Sequence, residues 1–352
     1  MSDTEVDFAV LGSTPQARLL AGLLAAEHGR RVALAAESDA AYRLPRGLDL
    51  SAGPITRPES WSLLGTLVPE TVKLLSRIGG RSAWGRTDPI LFADVAAAAE
   101  AISHIRHMAC AFGIAAERVP PDLIGPGRNA IYLRDTVVLH RAPLEAAVDT
   151  WLDRVGVVRL TGPVELNPDG SGTAPVGEHQ CRIGQVVLAD DPALLRHIPA
   201  ETWPALLVRD AGNTLLLEPT APMAGVVMQQ LDSGLTLHRQ PHGGLVAMGP
   251  GAPEDFTARL MALLGSERPL RLAGRAQYVT IATEDGAAAA GRLDGTGPVM
   301  LAGFGVTGAF FAPALARWLC GVAEPAEASW FESRAIGRSA ATSPATEFRG
   351  AA

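Results

Sequence analysis

The sequence predicts an α/β fold with two sheets, one largely parallel and one mixed or antiparallel, and three observations predict it. The chain begins with an apolar run, Asp7 to Leu11. A stretch Ala17 to His28 follows with Leu19, Leu20, Leu23 and Leu24 at helical spacing, then a second apolar run, Arg31 to Ala36; this order reads as strand, helix and parallel strand. Gln185 to Ala189 is apolar after its first residue, as in a strand covered on both faces of a parallel sheet. Leu206 to Gly249 alternates apolar and polar residues in short runs between Pro/Gly turns, the pattern of antiparallel strands with one face covered.

The remaining elements follow in order. Gly29 stands where a left-handed cap would close the first helix. Trp61 to Gly125 reads as mainly helical, with alanine-rich Ala93 to Ala101 leading into Ile102 to Phe112. Leu139 to Val155 reads as a helix entered through Pro143, followed by a strand at Val157 to Leu160, a short strand near Val164 and a turn at Asn167-Pro168-Asp169-Gly170. Thr236 to Leu245 is a hairpin, Phe256 to Leu264 a helix, and Arg271 to Thr280 a strand leading into Glu284-Asp285-Gly286. Val299 to Ala302 is a short strand feeding a glycine-rich turn and an apolar helix. Beyond Trp330 and Phe331 the chain becomes rich in Ser, Ala, Thr and Gly and is expected to be a flexible tail.

Composition narrows the function. A chain of 352 residues, 47% apolar and 19% charged, can bury a large core and divide into two domains. The formal net charge of −7 leaves no basic face for nucleic acid or anionic lipid, so a small molecule or a protein, a partner subunit or a second copy, is the expected partner. Three dispersed cysteines, Cys110, Cys181 and Cys320, form no disulfide or zinc pattern, and with no export signal among the first residues a cytoplasmic location is expected. Pro298 to Ala316 is uncharged, but its glycines and Pro313 favour a buried strand, turn and helix over a membrane span. His104, His107 and Cys110 share one helical face; without a further ligand cluster nearby they read as a packed face, and no metal is expected.

Two glycine-rich turns carry the chemistry. After the first strand stands Gly12-Ser13-Thr14-Pro15-Gln16-Ala17, a degenerate Gly-x-Gly-x-x-Gly in which Thr14 replaces the second glycine and Ala17 the third. At a helix N-terminus such a turn can hold a pyrophosphate, here with help from the Ser13 and Thr14 hydroxyls. Glu37, at the end of the second strand, is placed either to accept ribose hydroxyls or simply to be solvated. Near the C-terminus, Gly303-Phe304-Gly305-Val306-Thr307-Gly308-Ala309-Phe310-Phe311-Ala312-Pro313-Ala314-Leu315 leaves backbone N–H groups bare for a planar, electron-accepting ring.

This C-terminal turn resembles the Gly-x-Gly-x-x-Gly-x-x-x-Ala-Pro-Ala element of the D-amino-acid oxidase superfamily of FAD enzymes, which includes the glycine and sarcosine oxidases. Leu50-Ser51-Ala52-Gly53-Pro54-Ile55 is similar to that superfamily's Ser-x-Ala-Gly stretch beside the flavin. The resemblance implies a Rossmann-like FAD-binding domain, residues 1–80, 137–205 and 285–335, with an inserted substrate domain, residues 81–136 and 206–284, and a tail at 336–352. It implies noncovalent FAD held by the Gly12–Ala17 turn, by Glu37, by Arg43 or Arg46, by Ser51, Ala52 and Gly53, by the backbone near Val164, by Asp190, and by Gly303, Gly305, Val306, Thr307, Gly308 and Ala309. The activity implied is transfer of a hydride from an amine or amino-acid-like C–N substrate, by an oxidase or a dehydrogenase.

Departures from the pattern bear on that activity. Asp190-Asp191 stands where the family has Ala-Gly beside the adenosine. Thr280 and Val306 stand where its carboxylate-binding arginines align, and neither can clamp a carboxylate. Arg239 and Arg275 are possible substitutes, and His238 and Tyr278 are further candidates for groups facing the ring. The other reading is a subunit that keeps the fold as a partner or regulator in a larger complex without catalysing.

Overall fold

The computed structural model describes residues 4–36, 44–177, 179–219, 223–265 and 271–349; Glu37 and Arg43 lie outside these residues. Among them the first sheet runs in the order Ala289–Gly291, Val299–Ala302, His179–Leu188, Thr4–Leu11, Val32–Ala35, Val158–Arg159, with Gly172–Val176 and Glu165–Leu166 as an antiparallel extension of His179–Leu188. Leu11 ends opposite Ala35 on one side and Leu188 on the other, both in parallel register. The chain therefore leaves the central strand toward Val32–Ala35, while the opposite neighbour arrives much later. That reversal is the switch point at which open parallel sheets form ligand crevices.

The first helix, Pro15–Ala26, is capped by the Thr14 hydroxyl, which accepts from the Ala17 amide at 3.3 Å, and it starts with Pro15 in its first turn. Leu19, Leu20, Leu23 and Leu24 are all buried, as their spacing requires, and the chain turns out through Gly29 at φ +60°. On the same helix Gly22 faces Trp151 of the helix Arg141–Arg154, and a Cβ there would fall inside the indole. Gly22→Ala gains about 1 kcal/mol in helix propensity but forces an overpacked core, which costs about 1–3 kcal/mol. The clash is expected to win, lowering the urea midpoint without changing the m-value.

The second sheet has the order Leu272–Thr283, Leu207–Leu217, Leu245–Pro250, Thr236–Arg239, Val227–Gln230, Ile90–Ala93, Asn129–Leu133, Ala116–Arg118. Its pairs are antiparallel except Val227–Gln230 with Ile90–Ala93, so it is mixed. The helical reading of Trp61 to Gly125 is corrected here. Helices Pro58–Ile78 and Ala96–Ala111 flank two strands, Trp84–Thr87 and Ile90–Ala93. Ile90–Ala93 is four buried apolar residues, and a run that short has no period to separate strand from helix. Likewise Leu139 ends a strand, Thr136–Leu139, paired with Trp84–Thr87, and the helix begins at Arg141.

Residues 298–316 fold as the strand Val299–Ala302, the tight turn Gly305–Phe311 and the helix Ala312–Leu319, and no helix among the described residues is long and apolar enough to cross a membrane. Trp318 of this helix stacks on Phe331 at 4.9 Å and ties it to Pro325–Ser333.

The tail differs from its expected flexibility. Arg338 donates to both oxygens of Asp285, at 2.7 and 2.8 Å, and the Glu347 amide donates to the Asp285 carbonyl at 2.9 Å. The Glu347 carboxylate accepts from the Thr56 amide and hydroxyl at 2.6 and 2.5 Å, and Arg57 donates to the Thr346 carbonyl at 2.7 Å. Composition suited to disorder is overridden by a few polar anchors, which make residues 338–349 a strap across the molecule.

Candidate functional site

A cavity of about 1300 Å³ opens between the C-terminal ends of the parallel strands and the second sheet. One end reaches Thr14, Gln16 and Asp190; the middle is walled by Gly303 to Val306, Gly308 and Ala309; the far side is formed by Thr236–Arg239 and Leu272–Thr283, with Leu44 to Asp49 alongside. Its volume exceeds the roughly 300–1,000 Å³ of ordinary small-molecule pockets, so an extended ligand is the natural occupant.

The C-terminal turn meets the cavity with its glycines. Gly303 and Gly305 have φ of +69° and +56°, a conformation that strains any residue with a Cβ. Gly308 lies against Gln16, whose Oε1 would collide with a Cβ there. Gln16 is 8% exposed, and its Nε2 has no hydrogen-bond partner among the described residues. A buried, unsatisfied donor in a cavity wall is costly unless a ligand accepts from it.

At the other glycine turn the donors are already engaged. The Ser13 amide donates to Asp190 Oδ2 at 2.7 Å, and Asp190 Oδ1 accepts from Ala193, capping the helix Asp191–His197. Gly12 allows this approach, since a Cβ on it would lie 3.1 Å from the Asp190 carboxyl. Ser13 and Pro15 are not part of the lining of the large cavity and border a small adjoining cleft with Thr14, Arg18 and Glu145. Ala17 is fully buried against the core.

The opposite wall carries the polar groups. Tyr278 and Thr280, two residues apart on Leu272–Thr283, lie over Gly212 of the next strand, which has no side chain to displace them. The Tyr278 hydroxyl reaches the Thr214 hydroxyl and the Arg46 carbonyl, each at 3.3 Å, and the Arg46 guanidinium sits 5.1 Å from its ring centre. Burial pushes the Tyr278 hydroxyl above its ordinary pKa. Burial, with His140 nearby, holds His238 below the usual histidine range, so its ring is neutral at pH 7; Nδ1 lies 3.1 Å from Gln240 Nε2. Arg239 lines the cavity from an exposed position.

His238, Arg239, Tyr278 and Thr280 are thus brought to one cavity with Thr14, Gln16, Asp190, Gly303, Gly305, Val306, Gly308 and Ala309. Other expected residues stand elsewhere. Ser51, Ala52 and Gly53 do not line it: Ser51 exchanges hydrogen bonds with Val137, and Gly53 packs under the Val306 side chain. The loop supports the C-terminal turn from behind, and Leu44 to Asp49 make the wall instead. Val164 is buried in the core beneath the first sheet, the Thr307 hydroxyl is turned back onto the Phe304 carbonyl, and Arg275 is outside the lining. His104 Nε2 donates to the Thr56 carbonyl at 2.7 Å, and no three potential metal ligands converge among the described residues.

Asp191, His140, Phe348 and Arg349 contribute to the lining without having been given a site role from the sequence. Asp191 lines the cavity with its Oδ2 accepting from the Ile281 amide at 3.0 Å; burial and neighbouring Asp190 push its carboxyl up to about 6. His140 and the strap residues Phe348 and Arg349 also reach the wall. The Asp-Asp pair directly after an apolar strand was the available signal for Asp191; the strap gave none.

The sequence matches no protein-family model and no curated protein sequence. Solved structures do share the fold. L-proline dehydrogenase from P. horikoshii superposes with a TM-score of 0.72 at 14% identity, over 96% of this chain and 98% of that one. NikD, an unusual amino acid oxidase essential for nikkomycin biosynthesis, gives 0.68 at 15% identity, over 89% and 93%. Glycine oxidase from Geobacillus kaustophilus gives 0.66 at 14% identity, over 91% and 96%. The chain shares the two-sheet fold of these solved structures.

Proposed function

We propose that this chain is an FAD-dependent oxidoreductase, an oxidase or a dehydrogenase, acting on an amine or amino-acid-like substrate. The observation that carries the reading is the single cavity joining the Gly12–Ala17 turn to the Gly303–Ala309 turn beneath the polar wall of the second sheet. FAD suits the end of this cavity at Thr14, Gln16 and Asp190 together with its middle: the bare glycine turn accommodates a flat ring, and Gln16 Nε2 offers a donor that no other described residue satisfies. With no cysteine beside Thr280 on its strand, the cofactor is held noncovalently.

FAD held there would supply a two-electron acceptor for the hydride of the substrate C–H bond, which would convert a neutral amine to its iminium. The chain positions and shields the donor. Tyr278 and Thr280 present hydroxyls to the substrate, neutral His238 offers a ring nitrogen without adding charge, and Arg239 attracts an acidic group from the mouth. The strap adds Phe348 and Arg349 to the cavity wall. In this assignment the second sheet, residues 81–136 and 206–284, binds substrate, and the rest of the chain through residue 335 binds the cofactor.

The purified protein is expected to gain flavin absorption bands on addition of FAD and to bleach with a suitable amine under anaerobic conditions. A protein that stays colourless and ignores every flavin would sink this reading. Asp190 on the Ser13 amide favours a second one, a flavoprotein-like subunit acting as a partner or regulator, which that negative result would promote.

A further inference from the structure

We infer that Asp190 is a resident anion at the head of the first helix, competing there with the pyrophosphate of FAD and setting how tightly the cofactor is held. The inference rests on the flavin reading above and deepens it.

The position is forced by topology. Thr4–Leu11 and His179–Leu188 are parallel neighbours that end together, Leu11 beside Leu188, so the residues following each strand meet at the switch point. Gly12-Ser13 comes from one and Asp190 from the other. The helix N-terminus carries a partial positive charge and exposed amides, the features that draw a phosphate. Here a carboxylate has both: its Oδ2 takes the Ser13 amide at 2.7 Å and its body lies against Gly12, where a pyrophosphate would approach bare backbone. Asp190 is 8% exposed, and its other oxygen is fixed by the Ala193 amide at 3.0 Å, so it is built in and not a surface side chain swung inward.

The surroundings favour retention. Thr14 takes the Ala17 amide, so another donor of the first turn is met by the chain's own side chain. Arg18, buried in the same turn, is paired with Glu145 at 3.2 Å and Asp149 at 2.5 Å. Asp191 adds a second carboxyl to the same part of the wall. Two anions cannot share one amide, and like charges a few ångströms apart in a half-buried site repel each other more strongly than they would in water. A dinucleotide must therefore displace Asp190 or be held with its phosphates shifted.

Asp190→Asn separates charge from shape, because asparagine caps a helix as well as aspartate does. Dissociation constants for FAD and for riboflavin, which lacks phosphate, are measured on both proteins by flavin fluorescence. The expected result is FAD tightened by about tenfold or more, the effect of relieving roughly 1.4 kcal/mol of repulsion, with riboflavin nearly unchanged. Asp190→Ser, which shortens the side chain away from Ser13 but still caps, should tighten FAD at least as much. If FAD binding is unchanged or weakened in both variants, or if both flavins tighten equally, the competition is overturned while the flavin reading stands. If neither flavin binds any of the three proteins, the flavin reading itself falls and takes this inference with it.

Discussion

Arg338→Met is expected to destabilise the protein by about 3–5 kcal/mol, the usual cost of removing one partner from a buried ion pair. The Asp285 side chain is completely enclosed, and Arg338, itself 8% exposed, gives it two hydrogen bonds; the Ala287 amide gives a third at 3.2 Å. Methionine fills most of the volume but leaves a carboxylate in the interior facing apolar groups. Asp285→Asn added to Arg338→Met should recover part of the loss, since the unpaired charge and not the missing contact dominates it. The pH dependence has a definite sign. Burial pushes the Asp285 carboxyl up, but bonds from Arg338 and Ser343 outweigh it, and the net position is below the ordinary carboxylate value. A carboxyl with a depressed folded-state pKa contributes its full stability above about pH 4, the unfolded value, and loses it as pH falls through the folded one. Denaturation of wild type and variant should thus differ most near pH 7 and converge in acid.

The opposite sign is expected at Asp191. Its carboxyl is pushed up to about 6, by burial first and by Asp190 second, against weaker lowering from the Ile281 amide and Arg46. An acid held above its unfolded value of about 4 costs nothing below that pH, and its penalty grows between about pH 4 and 6 to roughly 2–3 kcal/mol above. Asp191→Asn keeps an acceptor for the Ile281 amide and removes the charge. It should raise stability by about 1–3 kcal/mol at pH 8 and leave it unchanged near pH 4. A variant equally stable or weaker at pH 8 would mean that Asp191 is better solvated than its place in the cavity wall implies. A site that gives up stability to keep a carboxyl near neutral pKa is the kind selected for proton handling or ligand contact.

Much of the architecture was legible because it is local. Four leucines at helical spacing, an apolar strand before each glycine turn and the alternation of Leu206 to Gly249 fix their elements without reference to distant residues. The site was legible only in part. Gly303 to Ala309 could be read as a cavity wall since the positive φ angles belong to the segment itself. Asp190 stood out as a departure, but its meeting with Ser13 depends on strand order across 177 residues. Ser51-Ala52-Gly53 has the composition of a cofactor loop, yet Val137 and Val306 claim its backbone and side chains, a competition that spacing cannot display. The strap was illegible for a different reason: Arg338, Thr346 and Glu347 have no pattern among themselves, and only their partners at Asp285, Arg57 and Thr56 give them a place.

That strap ties the finishing of the cavity to the timing of protein synthesis. Glu347 is added 291 residues after Thr56, its hydrogen-bond partner, and Val299–Ala302 joins the parallel sheet long after Thr4–Leu11 has emerged. At about 5–20 residues per second, the interval between the two ends of the strap contact is roughly 15–60 s. For most of that interval the Gly12–Ala17 turn is made and the Gly303 turn is not, so the cavity cannot close around a ring until about the last fifty residues have been added.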